Sequence, residues 1–127
     1  MLGSNRNEIA GMPTSSYPRF DELRASRLAE RRDAAVRAVR QAALLAERVG
    51  GRLVVFGSLA EGGFHERSDV DLALLAVPPG RDLDMAAEIE AALAGAGFVA
   101  EVVPERFMSP SLRRRVEEHG REPGVLG

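Results

Sequence analysis

The chain has 127 residues, which is enough for one hydrophobic core and therefore for one small domain. A formal net charge of −2 and an aromatic content of 5% argue against a nucleic-acid partner, which needs a basic surface or stacking side chains. The sequence has no cysteine, no apolar run near the ~20 residues of a membrane span and no secretion signal, so we expect a cytoplasmic protein without disulfides.

The chain is predicted to begin with a leader followed by a long helix. Residues 1–19 mix Gly, Ser, Asn and Pro without periodicity, which is typical of a flexible leader. From Phe20 to Val49, apolar residues recur along one stripe while Arg and Glu fill the other face, so this segment is predicted to be an amphipathic helix. Gly50 and Gly51 are expected to end it.

Three apolar runs that lie between turn residues are predicted to be strands. They are Leu53–Phe56, Val70–Val77 and Phe98–Val103. Antiparallel pairing of the first two would place Gly57, which ends the first strand, and Asp69, which precedes the second, at the same end of the sheet. A helix between the second and third strands would act as a crossover, so the third strand is expected to be parallel to the second.

Two helices are predicted in the second half of the chain, and each has a recognisable start. Asp82 can cap a helix that runs to about Ala94. Ser109-Pro110 is a typical N-cap and first-turn pair for a helix that ends near His119. The order of elements is then α-β-(short α)-β-α-β-α, which predicts a domain that mixes helices with a small sheet.

Two carboxylates one residue apart stand at the start of the second predicted strand. Side chains alternate along a strand, so Asp69 and Asp71 share one face, with Cα atoms about 6.7 Å apart for a rise of ~3.3 Å per residue. Carboxylates at this spacing can reach one small hard cation, and Mg²⁺ characteristically binds one or two carboxylates together with substrate phosphates. The alternative is a strand edge whose polar face is simply solvated.

A third acid and a glycine turn extend this pattern. Glu101 is an isolated charge in an otherwise apolar strand, and it is either a third carboxylate of the same site or a residue on an exposed strand face. Gly57-Ser58 directly follows the first strand and can open a short helical turn. Free backbone N–H groups at such a turn, together with the serine hydroxyl, can bind an anion, although Gly-Ser is also an ordinary turn.

The combination of these motifs resembles the nucleotidyltransferase superfamily that includes DNA polymerase beta. Gly57-Ser58, ten intervening residues, Asp69-Val70-Asp71 and a later acid on another strand follow the superfamily signature. The surrounding sequence, FGSLAEG…HERSDVDLALL, resembles the minimal nucleotidyltransferases, or MNT proteins. Many MNT proteins are antitoxins that are paired with a HEPN-family ribonuclease toxin.

The resemblance covers roughly residues 25–122 and implies a fold. This is the α/β (α+β) class, a single small polymerase-beta-like nucleotidyltransferase domain whose mixed sheet has three or more strands and flanking helices. We expect this domain to span residues 20–122 and to be followed by an irregular tail, residues 123–127.

The resemblance also implies the chemistry. Members use a two-metal Mg²⁺ mechanism, and the MNT antitoxins transfer AMP from ATP to a tyrosine hydroxyl of the partner HEPN toxin, with pyrophosphate as the leaving group. The metal ligands and catalytic acids would be Asp69, Asp71 and Glu101. The nucleotide-binding residues would be Gly57, Ser58, Arg67 and Ser68.

The sequence departs from the family pattern in the phosphate-binding turn. Family members often carry Arg two and four residues after the glycine, where this chain has Leu59 and Glu61. An acid beside a triphosphate is repulsive, so either Glu61 points away from the nucleotide or Arg67 compensates for its charge. The run Arg113–Arg115 is expected to be a solvated helix face.

Two other functions stay open at this point. A domain that has lost most of its catalytic power could neutralise a toxin simply by binding it, and an active domain could transfer a nucleotide to a small molecule. The leading expectation is that ATP and a HEPN-family protein are the partners, without nucleic acid or membrane. Either a homo-oligomer or a hetero-oligomer is compatible with the sequence.

Overall fold

The computed structural model describes residues 17–126 of the chain. Its helices are α1 (Tyr17–Glu47), α2 (Ser58–Glu61), α3 (Asp82–Gly95) and α4 (Pro110–His119). Its strands are β1 (Arg52–Phe56), β2 (Val70–Leu75) and β3 (Ala100–Pro104), and single 3₁₀ turns cover Glu105–Phe107 and Pro123–Val125. The predicted order of elements is confirmed, although the ends of several elements differ from the prediction. The predicted leader lies outside the described residues as far as residue 16.

Two units divide the chain, and their boundary falls inside α1 between Arg31 and Arg32. The described part of the first unit is helical from Tyr17 onward. The second unit contains the whole sheet, the three later helices and all of the predicted site residues. Within residues 17–126, no helix combines the length and the hydropathy that crossing a lipid bilayer requires. The predicted domain limits, residues 20 and 122, stay a prediction.

The three strands form one mixed sheet in the order β1-β2-β3. β1 pairs antiparallel with β2, and β3 lies parallel to β2 on its other side, as the sequence predicts. The register places Phe56 opposite Asp71, and Asp71 opposite Glu101. α3 provides the crossover that two neighbouring parallel strands require. The C-terminal end of β1 therefore meets the N-terminal ends of β2 and β3 at one end of the sheet.

Alternation of side chains along the strands divides the core between the two faces of the sheet. On one face, every second residue of β2 from Val70 to Leu74 packs in a large cluster with apolar side chains of the C-terminal part of α1 and of α3. On the other face, Ala73 belongs to a smaller cluster with Val116 of α4. Because Asp71 alternates with the first set, its side chain lies on the face that α4 covers.

The residues just before the predicted tail contact β1, and the tail itself, as far as residue 126, contains one 3₁₀ turn, Pro123–Val125. The backbone of Arg121 exchanges two hydrogen bonds with Val55, each 2.8 Å from N to O, and so forms an antiparallel bridge at the outer edge of the strand. Beyond it, Arg40 of α1 donates hydrogen bonds to the carbonyls of Pro123 and Leu126. An edge strand has backbone groups that need partners, which is the physical reason for the bridge at Arg121.

Asp82 has a different role from the predicted helix cap. It is the first residue of α3, and Arg81 precedes it as the N-cap residue. Its carboxylate, in a residue that is only 3% exposed, accepts two hydrogen bonds from the Arg106 guanidinium, Nε to Oδ2 at 2.6 Å and Nη2 to Oδ1 at 3.3 Å. Since Arg106 lies in the turn after β3, this charge-assisted pair joins the start of α3 to the end of β3.

Replacing Asp82 with Asn is expected to destabilise the fold, most strongly near neutral pH. The hydrogen bonds from Arg106 hold the pKa of Asp82 below its usual range, although burial acts to raise it. A lowered folded-state pKa contributes stability above the unfolded pKa of about 3.9, and this contribution is lost as the pH falls through the folded pKa. Thermal unfolding at a series of pH values should therefore show the wild type and the variant converging in acid.

The matched control for this experiment is Asp84→Asn, which removes an exposed acid from the same first turn of α3. We expect the control to lose much less stability than Asp82→Asn at neutral pH, because the side chain of Asp84 is exposed. If both variants lost the same stability at neutral pH, the pair between Asp82 and Arg106 would not be a determinant of the fold.

Candidate active site

The turn after β1 brings the backbone against an acid of β2. Gly57 follows β1 and precedes α2 with φ 71° and ψ −156°, a conformation that is essentially restricted to glycine. A Cβ atom added at this position would also collide with the carboxylate oxygen Oδ2 of Asp71. Glycine is therefore needed for two reasons, the backbone angle and the close contact. Ser58 begins α2 directly after it.

We expect Gly57→Ala to destabilise the protein by more than Gly63→Ala does. Both glycines have a positive φ, which costs an L-residue about 1–2 kcal/mol, but open space surrounds the Cβ position of Gly63. The additional loss at Gly57, measured by urea unfolding of the two variants, reports the collision with Asp71 together with the ψ of −156° that only glycine adopts readily. Equal losses would show that the close approach imposes no steric constraint.

Three carboxylates gather at this end of the sheet. Asp71 is in register with Glu101 of the parallel strand, and Asp69 lies just before β2. Asp69 and Glu101 are exposed, whereas Asp71 is partly buried. Burial raises the pKa of Asp71, the charges of Glu101 and Asp69 raise it further, and Arg115 acts in the opposite direction. The structure thus brings the three predicted acids together, while their catalytic role stays a prediction.

The chemistry of these acids suits a divalent cation. Like charges at close range disfavour ionisation, whereas a bound cation favours the charged carboxylates, whose oxygens are the ligands that Mg²⁺ prefers. Among residues 17–126, no three acidic or histidine side chains stand ready in metal-binding geometry. The carboxylates of Asp69, Asp71 and Glu101 would therefore have to turn toward a shared ion, and their role as ligands is a proposal.

The loop before the acids is held by its own contacts. Ser68 Oγ accepts a hydrogen bond from the N–H of His65 at 2.9 Å, and the N–H of Ser68 donates to the His65 carbonyl at 2.9 Å. The Nδ1 atom of His65 accepts a third hydrogen bond from the N–H of Arg67 at 3.1 Å. These hydrogen bonds stabilise the loop that directly precedes Asp69. Nucleotide binding by Arg67 and Ser68 stays a prediction.

The side chain of Glu61 points back toward the backbone of Gly57. Its Oε2 atom accepts a hydrogen bond from the N–H of Gly57 at 2.9 Å and another from Nε of Arg115 at 3.0 Å. Burial opposes ionisation, but the hydrogen bonds from Arg115 and Gly57 hold the pKa of Glu61 below its usual range. The charge partner of Glu61 is thus Arg115 of α4, and the predicted compensation by Arg67 is not what the structure shows.

The sequence did not reveal Arg115 as part of this region. All three residues of Arg113–Arg115 are exposed, as predicted, but two of them also make contacts that the sequence did not indicate, Arg113 with Glu105 and Arg115 with Glu61. The available signal was helical periodicity. Arg115 follows Leu112 by three residues and precedes buried Val116, so it borders the face of α4 that packs on the sheet.

Comparison with known families gives the class of protein. The family model for the nucleotidyltransferase domain matches residues 36–122, which is more than half of the chain. The mixed sheet, the glycine turn and the acids at one sheet end lie within this match. The chain therefore belongs to the nucleotidyltransferase domain family. A search of curated proteins finds no significant match.

Solved structures show the kind of nucleotidyltransferase that the chain resembles. A structure described as a minimal nucleotidyltransferase is 40% identical with a TM-score of 0.57, over 67% of this chain and 89% of that one. A toxin–antitoxin structure with AMP-PNP is 22% identical with a TM-score of 0.52, over 69% of this chain and 71% of that one. The resemblance to minimal nucleotidyltransferases that the motif indicates is thereby confirmed.

Proposed function

We propose that this chain is a Mg²⁺-dependent protein adenylyltransferase. It would move AMP from ATP to a tyrosine hydroxyl of a HEPN-family toxin and so act as the antitoxin. The observation that carries the proposal is the contact between the Gly57 turn and Asp71, with Glu101 in register beside that acid. Membership of the nucleotidyltransferase family supports the reaction class, and the likeness to a toxin–antitoxin structure with AMP-PNP supports an ATP-type nucleotide and a protein partner.

Each residue of the site would have its own role in this reaction. The N–H of Gly57 and the hydroxyl of Ser58 would hold the β- and γ-phosphates, and Asp69, Asp71 and Glu101 would hold magnesium. When bound, magnesium neutralises negative charge on the phosphates and orients the α-phosphate for in-line attack. The hydroxyl oxygen then bonds to the α-phosphorus, the bond to the bridging oxygen breaks, and pyrophosphate leaves. Glu101 would accept the proton of the attacking hydroxyl.

A macromolecular acceptor agrees with the exposure of the acids. Asp69 and Glu101 are both exposed at the end of the sheet, so a hydroxyl presented on the surface of another protein could reach them. The choice of tyrosine on a HEPN-family toxin follows from the likeness of the Gly57–Leu75 segment to MNT antitoxins.

Mass spectrometry of the partner tests this function. With purified chain, ATP, Mg²⁺ and a HEPN-family protein encoded beside it, we expect the partner to gain the mass of one or more AMP units on tyrosine. Asp71→Asn should reduce the rate at least about 100-fold, because metal-based charge stabilisation contributes several kcal/mol to such reactions. Asp84→Asn, which changes an exposed acid on α3, should leave the rate unchanged.

A partner that gains no mass with the wild-type chain would refute the transferase proposal. An Asp71→Asn variant that transfers AMP as fast as the wild type would refute the role of this acid. Removal of Mg²⁺ by a chelator should stop the transfer, and restoring Mg²⁺ should recover it.

One observation favours a second candidate, neutralisation of a toxin by binding alone. Glu61 places a carboxylate on the N–H of Gly57, where a phosphate would bind in the first proposal. Calorimetry separates the two functions. A tight complex with the toxin that is indifferent to Asp69→Asn and Asp71→Asn, together with no measurable binding of Mg-ATP, would favour binding alone.

A further inference from the structure

A single carboxylate oxygen joins three elements of the site. Oε2 of Glu61, at the end of α2, receives hydrogen bonds from the backbone N–H of Gly57 and from Nε of Arg115 on α4. A backbone N–H and a guanidinium are both donors that bind phosphate oxygens well. The carboxylate of Glu61 therefore occupies two hydrogen-bond donors that could also bind the phosphate of a ligand.

Arg115 is placed at the site by one further contact. Its guanidinium stands 5.8 Å from the centre of the Phe56 ring, and Phe56 is both the residue before Gly57 and the register partner of Asp71. The backbone of Gly57 in turn lies against the carboxylate of Asp71. Arg115, Gly57 and Asp71 consequently border one region at the end of the sheet.

The solvent exposure of Glu61 and Arg115 would allow Arg115 to exchange Glu61 for another anion. The side chain of Glu61 is 30% exposed and that of Arg115 is 50% exposed, so neither is locked in the core. Glu61 can move into solvent without opening the apolar clusters. Arg115 can then keep its position beside Phe56 and bind a new anion. An ion pair that is this exposed contributes little to stability, so breaking it is inexpensive.

We propose that Arg115 is a triphosphate-binding residue of this chain and that Glu61 is the internal anion that the triphosphate displaces. When Mg-ATP binds, one phosphate oxygen replaces Glu61 Oε2 as the acceptor of the hydrogen bond from the N–H of Gly57. The β- or γ-phosphate also accepts hydrogen bonds from the guanidinium of Arg115. The inference rests on the proposed function, because it assumes a nucleotide at the Gly57 turn. It adds a cation that comes from α4 rather than from the turn itself.

Competition by Glu61 lowers the affinity for nucleotide. An internal carboxylate occupies the donors in the free protein, and once displaced it still repels the triphosphate. Glu61→Gln keeps the shape of the side chain but removes its charge, so it should relieve both effects. Removing the guanidinium with Arg115→Met should instead cost the charged hydrogen bonds to the phosphates.

Calorimetric titration of the full chain with Mg-ATP tests the exchange. Glu61→Gln is expected to tighten binding about tenfold, and Arg115→Met to weaken it by roughly 10- to 100-fold. The decisive comparison is a double-mutant cycle. If Arg115 binds phosphate directly, Arg115→Met will still weaken binding in the Glu61→Gln background.

Two exposed residues of α4 provide matched controls, Arg114→Met for the cation and Glu117→Gln for the anion. Both are expected to bind Mg-ATP like the wild type. The circular dichroism spectrum of each variant should match that of the wild type, which separates loss of binding from loss of fold.

Three results would overturn the inference. The first is a Glu61→Gln variant that binds Mg-ATP no more tightly than the wild type. The second is an Arg115→Met change without effect once Glu61 is neutral, since Arg115 would then act only on Glu61. In both cases, AMP transfer by the wild-type chain would show that the proposed function stands. The third, no binding of Mg-ATP by any variant together with no transfer, would overturn both.

Discussion

The close approach of the end of β1 to the start of β2 is the constraint on which the site depends. Because Gly57 lacks a side chain, its backbone can lie against the carboxylate of Asp71, and antiparallel pairing fixes both at one end of the sheet. The parallel strand β3 then brings Glu101 to the other side of Asp71. The proposed function depends on this combination of the glycine turn with the acids, not on either feature alone.

α4 supplies a positive charge beside the acids at this end of the sheet. Val116 packs on the sheet face from which Asp71 projects, and this packing carries Arg115 to Glu61. Arg115 also opposes the rise in the pKa of Asp71 that burial and the neighbouring acids cause. An apolar contact and a compensating cation, one residue apart, are thus parts of the same arrangement. α4 therefore contributes one residue to the apolar core and the next residue along the chain to the charges of the site.

Much of the fold follows from local patterns. The order of helices and strands, the antiparallel and parallel pairings and the meeting of Gly57 with Asp71 all follow from periodicity, turn residues and the rules of strand connection. The failures have one cause, which is a long-range partner for a polar group. Asp82 pairs with Arg106 rather than capping α3, and Glu61 pairs with Arg115 rather than with Arg67. Local propensity contains no information on either partner.

The sequence by itself determined the elements, the spacing of the glycine turn and the acids, and the family, because these depend on residues close together in the chain. The tertiary structure decided which charges meet. Glu61 and Arg115 are separated by 54 positions, and only the packing of α4 on the sheet places their side chains within 3.0 Å. A carboxylate that appeared unfavourable in a phosphate-binding turn is therefore held by a distant guanidinium, since the sheet and the helix bring the two charges to one point.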